Sequence, residues 1–365
     1  MSISVDGTNG VTYPDLSVQN TAATGFGFKN RIINGACVID QRNAGASVTQ
    51  GTSVIYTADR WWIYGAAASK FTLQQQTSVV PAGYTHALKA TSSSTYTVAS
   101  TDEFDIAQYI EGFNVADLGW GTANATAVTL SFRVYSSLTG TFGGQIANSD
   151  SSRSYPFSYT ISAANTWETK TITIAGDTSG TWLTTNGAGM LVLFSLGAGS
   201  TKSGTANAWQ AGNYTQPTGS VSVVGTSGAT FYITGVQLEK GSTATSFDYR
   251  PYGTELLLAQ RYYFKLTSFV TAGVLGVGIT SGATSSWVNI ISPVAFRASP
   301  TVSYSALAIS DQASYNCIVS SIAATAQTLT GGGVAFNHAG GATLYRTAIV
   351  NTTSTSGYID FSAEL

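Results

Sequence analysis

One stretch, residues 231–264, constrains the fold of this chain most, because three structural signals meet within it. Residues 231–238 alternate apolar with small or polar side chains, which is the pattern of a half-buried β-strand. A turn rich in Gly, Ser and Thr follows, and Thr254 then suits the N-cap of a short apolar helix, with Glu255 favoured in its first turn. The stretch predicts that one β-rich unit ends at a linking helix and that another begins after it.

The segments on either side of this stretch predict an all-β chain. Candidate strands recur at intervals of roughly 8–12 residues, with about ten before the linking helix and about seven after it. We predict a β-sandwich (jelly roll) over 30–252, a linking helix over 253–266 and a second, smaller C-terminal β-sandwich over 267–365. Residues 1–29 have too little apolar periodicity for a domain. They form either a disordered arm or an N-terminal attachment arm that orders against a partner.

Two segments near the start of the first unit have strand character. Residues 30–42 contain two short apolar runs around an Asn-Gly turn, and we predict a strong strand there. Residues 53–64 form a second candidate, in which Trp61 and Trp62 must face opposite sides of a sheet. In this segment the adjacent charges of Asp59 and Arg60 are expected to pair with a charge of the 231–264 stretch, such as Glu239 or Arg250.

The composition narrows the function classes. Charged residues make up 9% of the chain, whereas 43% are hydrophobic and 12% aromatic, so there is enough apolar surface for a core. A net charge of −2 gives no basic surface for nucleic acid. No run approaches the roughly 20 apolar residues of a membrane span, and the N-terminus lacks the apolar segment of a signal peptide. We therefore expect a protein made in a cytoplasm and released by lysis.

The sequence carries no recognisable catalytic motif. The two histidines are His86 and His338, and no GxSxG, HExxH, CxxC or phosphate-binding loop occurs. We predict that the chain is not an enzyme and needs no cofactor. Asp102, Glu103 and Asp105 form the one tight acidic cluster. Three interpretations stay open for it: a solvated strand edge, a structural calcium site and a carboxylate pair for glycoside hydrolysis.

Aromatic side chains in polar loops favour carbohydrate binding. A sugar presents hydroxyls around an apolar ring face, so its sites combine aromatic platforms with amide and carboxylate groups. The alternative for each aromatic residue is an ordinary role in anchoring a loop or filling the core. The candidates are Trp120, Trp182, Trp209 and Tyr214 in the first sandwich, and Trp287 and Asn337 in the second.

The linking helix is apolar over a wide face for so short an element. Such a face must be covered by both units or by other copies of the chain. We predict that Leu256, Leu257 and Tyr263 lie in a domain or subunit interface, and we hypothesise that they make contacts around a three-fold axis.

Several motifs resemble those of a known family. They are NRIINGACVIDQRNAG, YTADRWW, ITGVQLEKGSTATSFDYRPYGTELLLAQRYY, SPVAFRASPTVSYS and GYIDFSAEL. Together they resemble a block found in tail-fibre and tail-tip (receptor-binding) proteins of tailed bacteriophages. The jelly-roll part of that block resembles carbohydrate-binding modules. The resemblance covers about residues 30 to 365.

The resemblance implies a structural virion protein of the tail or tail fibre that adheres to the host surface as a homotrimer. Its partners would be other copies of itself, virion proteins contacted through the arm, and a host glycan or receptor. It implies neither nucleic-acid binding nor membrane insertion. Two alternatives stay open, namely a capsid-attached decoration fibre and a polysaccharide-degrading tailspike.

Overall fold

A computed structural model describes residues 4–6, 10–12, 18–19, 29–268, 270–311 and 317–365. The predicted arm over 1–29 falls largely outside these residues. Within it, β1 (Ser4–Asp6), β2 (Gly10–Thr12) and β3 (Val18–Gln19) pair as a small antiparallel sheet. In the described part of the chain the remaining elements are strands, a few 3₁₀ turns and one α-helix, which confirms the predicted all-β fold class.

Fifteen strands build the first unit, which we call the sandwich. They are β4 (Val48–Thr49), β5 (Ile55–Tyr56), β6 (Trp62–Gly65), β7 (Phe71–Gln76), β8 (Ala87–Ser92), β9 (Glu103–Glu111), β10 (Val128–Ser136), β11 (Gly140–Ala147), β12 (Arg153–Ile161), β13 (Glu168–Ile174), β14 (Ala188–Ala198), β15 (Ser203–Gly204), β16 (Gln210–Ala211), β17 (Gln216–Pro217) and β18 (Thr230–Lys240). One antiparallel sheet has the order β13-β10-β18-β8-β7-β4 and the other β16-β12-β11-β14-β9-β6-β5, while β15 and β17 form a small parallel pair.

The two large sheets pack face to face around one apolar core. Phe132 of β10 and Phe194 of β14 meet edge to face, with ring centroids 5.0 Å apart. Phe142 of β11 and Phe231 of β18 stack across the same gap at 6.1 Å. Because side chains alternate along each strand, the inner positions form the core and the outer positions stay available for other contacts. The predicted jelly-roll sandwich is confirmed.

Residues 30–42 do not form the predicted strand. Asn34 and Cys37 have φ angles of 58° and 59°, and such left-handed residues interrupt an extended chain. The segment instead lies along β18, where the Val236 N–H donates to Gly35 O at 2.9 Å. A Cβ on Gly35 would lie 2.1 Å from Val236 O, so glycine is required for this approach. As a result β18, predicted to be half-buried, is buried on both faces.

The predicted strand over 53–64 is divided into β5 and β6. A tight turn separates them, closed by the Thr57 N–H donating to Trp61 O at 2.8 Å and containing Arg60 at φ 72°. Trp61 is fully buried in the sandwich core, whereas Trp62 belongs to a separate apolar cluster on the outer face. The prediction that the two indoles face opposite sides is confirmed.

The linking helix α1 (Tyr252–Gln260) begins two residues earlier than its predicted N-cap, Thr254. Pro251 precedes the helix, and no side chain caps it. Proline fixes φ near the helical value and has no N–H, so it suits this entry position without a Thr cap. Glu255 lies in the first turn as predicted. Its carboxylate pairs with Arg250 at 3.0 Å, which attaches the helix to the preceding segment.

The second unit, which we call the barrel unit, contains nine strands. They are β19 (Tyr263–Thr267), β20 (Val274–Gly282), β21 (Ser285–Ile291), β22 (Thr301–Ser305), β23 (Leu307–Ser310), β24 (Cys317–Thr328), β25 (Gly331–His338), β26 (Thr347–Thr352) and β27 (Tyr358–Ser362). Three form a sheet, β19-β27-β22, while six close into a barrel in the order β20-β21-β25-β24-β23-β26. The smaller β-unit expected as a sandwich thus combines a sheet with a closed barrel. Glycines help the curvature: a Cβ on Gly278 would lie 1.9 Å from Trp287 O.

The sandwich and the barrel unit meet at a junction of buried, paired charges. Glu364 accepts from Arg42 at 3.0 Å and also from Arg60. Glu111 pairs with Arg261 at 2.6 Å. Each ion pair joins the sandwich to a residue beyond α1, so the two units are connected by charge-assisted hydrogen bonds as well as by the helix.

The predicted partners of Arg60 are therefore wrong. Arg60 pairs with Glu364, and the carboxylate of Glu239 is instead occupied by the backbone and hydroxyl of Thr245, at 2.8 and 2.7 Å. Because Glu364 lies more than 300 residues from Arg60 in sequence, the residues around Arg60 do not indicate this partner.

Candidate functional site

The outer face of the seven-stranded sheet carries the most suggestive arrangement of side chains. In the antiparallel pair of β6 and β9, Trp62 lies opposite Ala107 and Tyr64 lies opposite Asp105. Because alternate side chains share a face, these four lie on the outer side together with Tyr109. Two aromatic residues of β6 therefore stand beside a carboxyl and a third aromatic residue of β9.

The neighbouring strands extend this face into a groove. Leu193 of β14 lies opposite Ala107, and Gln145 of β11 lies opposite Leu193, so one row runs from Trp62 across four strands. The groove has a volume of about 200 Å³. Its lining residues are Val54, Trp62, Tyr64, Glu103, Asp105, Tyr109, Gln145, Ser151, Leu191, Leu193, Asn213 and Thr215.

The groove has an aromatic wall and an apolar floor. The rings of Trp62 and Tyr109 are 5.5 Å apart and tilted by 31°. The floor is formed by small and aliphatic side chains, including Ala107, Leu191 and Leu193, which pack with Trp62 in one cluster. An apolar surface of this kind can contact the face of a sugar ring.

Three lining residues have a buried polar atom without a hydrogen-bond partner in the part of the chain that the structure describes. The atoms are Trp62 Nε1, Asp105 Oδ1 and Gln145 Oε1. Buried polar atoms in native proteins nearly always have a partner, so an unfilled set calls for an explanation. All three residues line the same groove, so hydrogen-bonding capacity is left unfilled beside it.

The charges of the groove are predominantly acidic. Glu103 pairs with Lys202 at 3.1 Å and accepts from the Asn213 side chain at 3.4 Å. Burial and then the negative charge of Glu103 raise the pKa of Asp105 well above its ordinary value, against the opposing effect of Lys202. The protonated form of Asp105 is thereby favoured, and in that form the carboxyl can donate a hydrogen bond as well as accept one.

The acidic cluster noted in the sequence divides between two places. Asp102 accepts from the Tyr96 hydroxyl and the Ala99 N–H, both at 2.9 Å, and so closes a turn. Glu103 and Asp105 line the groove. Within the described ranges, no group of three or more His, Cys, Asp and Glu side chains converges as metal ligands would.

Three of the predicted sugar-binding aromatics come together, but away from the groove. Trp120, Trp182 and Trp209 contact one another edge to face, with centroid distances of 4.7, 5.3 and 5.6 Å. Their indole N–H groups donate to the backbone carbonyls of Thr126, Ser179 and Ala175, respectively. Trp120 and Trp182 are nearly fully buried and Trp209 is half-buried. The cluster holds three loops together at one end of the sandwich.

The other predicted sugar-binding residues lie at separate positions. Tyr214 is half-buried between two groove-lining residues but does not itself line the groove. Trp287 is 42% exposed on the outside of the barrel, where it pairs with Ala335. Asn337 is exposed on the adjacent strand, and its amide donates to Ser321 Oγ at 2.9 Å. The structure therefore does not bring the six predicted residues into a single site.

The three predicted interface residues have different environments. Tyr263 is 3% exposed, and its hydroxyl donates to Asp360 at 2.9 Å while Arg42 lies 3.6 Å from its ring centroid. Leu256 is half-buried beside an apolar cluster at the junction, and Leu257 is 45% exposed. Tyr263 thus packs in the junction between the two units of one chain. Leu257 is the most exposed of the three side chains.

A second cavity of about 240 Å³ lies beside the start of α1. It is mostly apolar and is lined by Phe247 and Tyr249, whose rings pack on each other with centroids 4.8 Å apart. The carboxylate of Glu255 at its edge is already bonded to Arg250. This cavity is slightly larger than the groove, but it lacks the groove's set of unfilled polar atoms, so we favour the groove as the functional site.

The groove residues Trp62, Tyr64, Tyr109 and Gln145 were not among the predicted site residues. A usable signal was present: Trp62 and Tyr64 are two positions apart, as are Glu103 and Asp105, and both pairs lie in predicted strand regions. Residues two apart share one face of a strand.

No family model and no curated protein matches this chain. Among solved structures, a CBM4 structure is 17% identical, covering 57% of this chain and 98% of that one, with a TM-score of 0.30. A sugar-binding protein of Bacteroides thetaiotaomicron VPI-5482 is 14% identical, covering 58% and 100%, with a TM-score of 0.35. The enzymatically active domain of tailspike protein 4 of bacteriophage CBA120 is 10% identical, covering 58% and 21%, with a TM-score of 0.31. None of these likenesses is close enough to assign a function.

The described residues contain no helix with the length and apolar character that crossing a bilayer requires.

Proposed function

We propose that the groove binds a neutral glycan and that the chain is a non-enzymatic adhesion protein of a bacteriophage virion. The observation that carries the glycan part is the row from Trp62 to Gln145, which joins an aromatic wall to unfilled polar atoms. A sugar ring fits both features at once, because its apolar face stacks on an aromatic side chain while its hydroxyls donate and accept hydrogen bonds.

The preference for a neutral sugar follows from the charges. Glu103 and Asp105 are the acidic residues of the groove, and Lys202 is already paired with Glu103. Lys202 balances Glu103, and Asp105 favours its protonated form. A uronic acid, sialic acid or phosphate would nevertheless bring an unpaired negative charge into this partly buried groove beside Glu103, where the carboxylate repels it and its desolvation is costly. Neutral hexoses and N-acetylhexosamines add no such repulsion.

The virion part rests on the family motifs in residues 30–365. It includes attachment through the 1–29 arm to other virion proteins, assembly as a homotrimer and a location in the tail or tail fibre. A capsid-attached decoration fibre is the alternative with the same adhesive role. Cryo-electron microscopy of the particle distinguishes the two, and mass photometry of the purified chain tests the trimer.

A polysaccharide-degrading tailspike is the second candidate, and one observation favours it. Asp105 has a raised pKa, as a general acid requires, and Glu103 lies on the same face of β9 two residues away. Glu103 is held by Lys202, however, which suits a structural carboxylate. Sustained release of reducing sugar from host capsule or lipopolysaccharide would establish this candidate in place of the binding protein.

A glycan array tests the binding proposal directly. The array carries matched pairs of neutral oligosaccharides and their uronic-acid counterparts, and it is probed with the full chain. We expect signal from neutral members only, and we expect a Gln145→Ala variant to give less. Signal from acidic members alone, or no signal at all from a folded, oligomeric sample, would contradict the proposal.

A further inference from the structure

We infer that Glu364 of the barrel unit positions the aromatic wall of the groove, so that glycan binding by the sandwich is coupled to docking of the barrel unit. The inference rests on the proposed glycan function for its ligand, but its structural part can be tested without one. The connection runs through Arg60, which is 1% exposed.

Arg60 makes contacts on both sides of the junction. Its guanidinium donates to the carboxylate of Glu364 and to the backbone carbonyl of Tyr109, and it lies 3.6 Å from the ring centroid of Tyr262. Its φ of 72° is unusual for a long side chain, and such a conformation persists when surrounding contacts hold it. One side chain therefore links β9 of the groove with the barrel unit.

The same side chain is next to the groove in sequence as well as in space. Trp62 follows Arg60 by two residues, and Tyr109, whose carbonyl Arg60 binds, carries the ring that contacts Trp62. Arg60 thus fixes β6 relative to β9 where these two strands form the aromatic wall. A shift of its guanidinium would change the spacing of the two rings.

A second contact reaches the wall from the adjacent residue. The Tyr56 hydroxyl donates to Leu365 O at 2.7 Å, and Tyr56 lies opposite Trp62 in the pair of β5 and β6. Residues 364 and 365 therefore contact β5 and the turn between β5 and β6 through two hydrogen bonds. Removing the Glu364 carboxylate would leave Arg60 buried without its anionic partner, which is a strongly unfavourable state that the strands would relieve by moving.

The experiment compares three variants of the full chain. Glu364→Ala removes the carboxylate, Glu364→Gln retains an acceptor for Arg60, and Glu255→Ala serves as a matched control. Glu255 also pairs an arginine near the junction, at 3.0 Å from Arg250, but does not line the groove. The probe is the neutral hexasaccharide with the strongest array signal, and its Kd is measured by calorimetry. Hydrogen exchange of the β6 and β9 amides is measured without the probe.

We expect Glu364→Ala to bind the hexasaccharide about tenfold more weakly, within the usual range of coupling between sites. It should also accelerate exchange in β6 and β9, and Glu364→Gln should restore part of both effects. Glu255→Ala should change the affinity for the hexasaccharide and the exchange in β6 and β9 less than Glu364→Ala does. Equal effects of Glu364→Ala and Glu255→Ala, or unchanged exchange in β6 and β9, would overturn the inference. If the wild-type chain binds no glycan, the proposed function fails while the exchange result still decides the structural part.

Discussion

Asp59 is a buried carboxyl whose ionisation should make the stability of this protein depend on pH. It is fully buried, and its Oδ1 accepts from the Gln41 N–H at 3.0 Å. Burial raises the pKa of Asp59 to about 7, and the charge of Glu364 acts in the same direction, while Gln41 and Arg42 oppose the change. The folded protein therefore retains a proton that an ordinary aspartate would lose at much lower pH.

The sign and size of the effect follow from linkage. In the unfolded chain the pKa of Asp59 returns to about 3.8, so the folded state binds more protons than the unfolded state between the two values. The contribution of Asp59 to the free energy of unfolding is therefore greatest below pH 3.8. It decreases as the pH rises and is lost once the pH passes about 7. A shift of this size corresponds to about 4 kcal/mol.

Asp59→Asn tests this reasoning, because it keeps the side-chain shape and removes the charge. Urea unfolding of the wild type from pH 5 to pH 8 should show a free energy of unfolding that falls towards pH 7, and the variant should show a smaller fall, the remainder coming from Asp105, whose pKa burial also raises. Asp150→Asn, which changes an exposed loop carboxyl, should leave the wild-type slope intact. If Asp59→Asn retained the full wild-type slope, the assigned origin of the pH dependence would be wrong.

Three further outcomes are expected. Trp62→Ala should weaken binding of a neutral hexasaccharide by about 2 kcal/mol in calorimetry, the size typical of a hot-spot aromatic; a larger loss in Trp287→Ala would move the site to the barrel. Trp120→Ala should lower the free energy of unfolding by about 3–5 kcal/mol in urea titration, since it removes two edge-to-face contacts and leaves a cavity. Gly35→Ala should lower Tm in calorimetry, because its Cβ would lie 2.1 Å from Val236 O; an unchanged Tm would show that residues 30–42 do not need this contact.

Strands in which apolar and polar residues alternate could be predicted from the sequence. β13 is an example, because TKTITI alternates in sequence and the strand alternates between exposed and half-buried positions, ending at the buried Ile174. Residues 30–42 were mispredicted because their apolar runs resemble a strand. The left-handed Asn34 and Cys37, and the hydrogen bond from Val236 to Gly35, depend on β18 lying alongside. The local pattern of apolar residues does not indicate a contact between segments so far apart in sequence.

The site was harder to predict because it depends on register. Trp120, Trp182 and Trp209 lie in polar loops, which suggested exposure, yet the three loops converge and the indoles cover one another. The sequence placed Trp61 and Trp62 on opposite faces of a sheet but did not show which of the two faces the core. The proposed place of Trp62 in the groove depends on the pairing of β6 with β9, in which Trp62 lies opposite Ala107, a small residue.

The size of the groove gives a physical reason to connect glycan binding with the proposed trimer. At about 200 Å³ the groove is smaller than a typical ligand pocket of roughly 300–1,000 Å³, so it can contact only a short part of a glycan. A single copy should accordingly bind weakly. Joining several copies raises the effective concentration of each further groove and can strengthen attachment by roughly 10²–10⁴-fold without any new contact. If the groove mediates adhesion as proposed, we therefore expect more than one chain to take part, and a monomer that bound a neutral glycan tightly would contradict both the size argument and the proposed trimer.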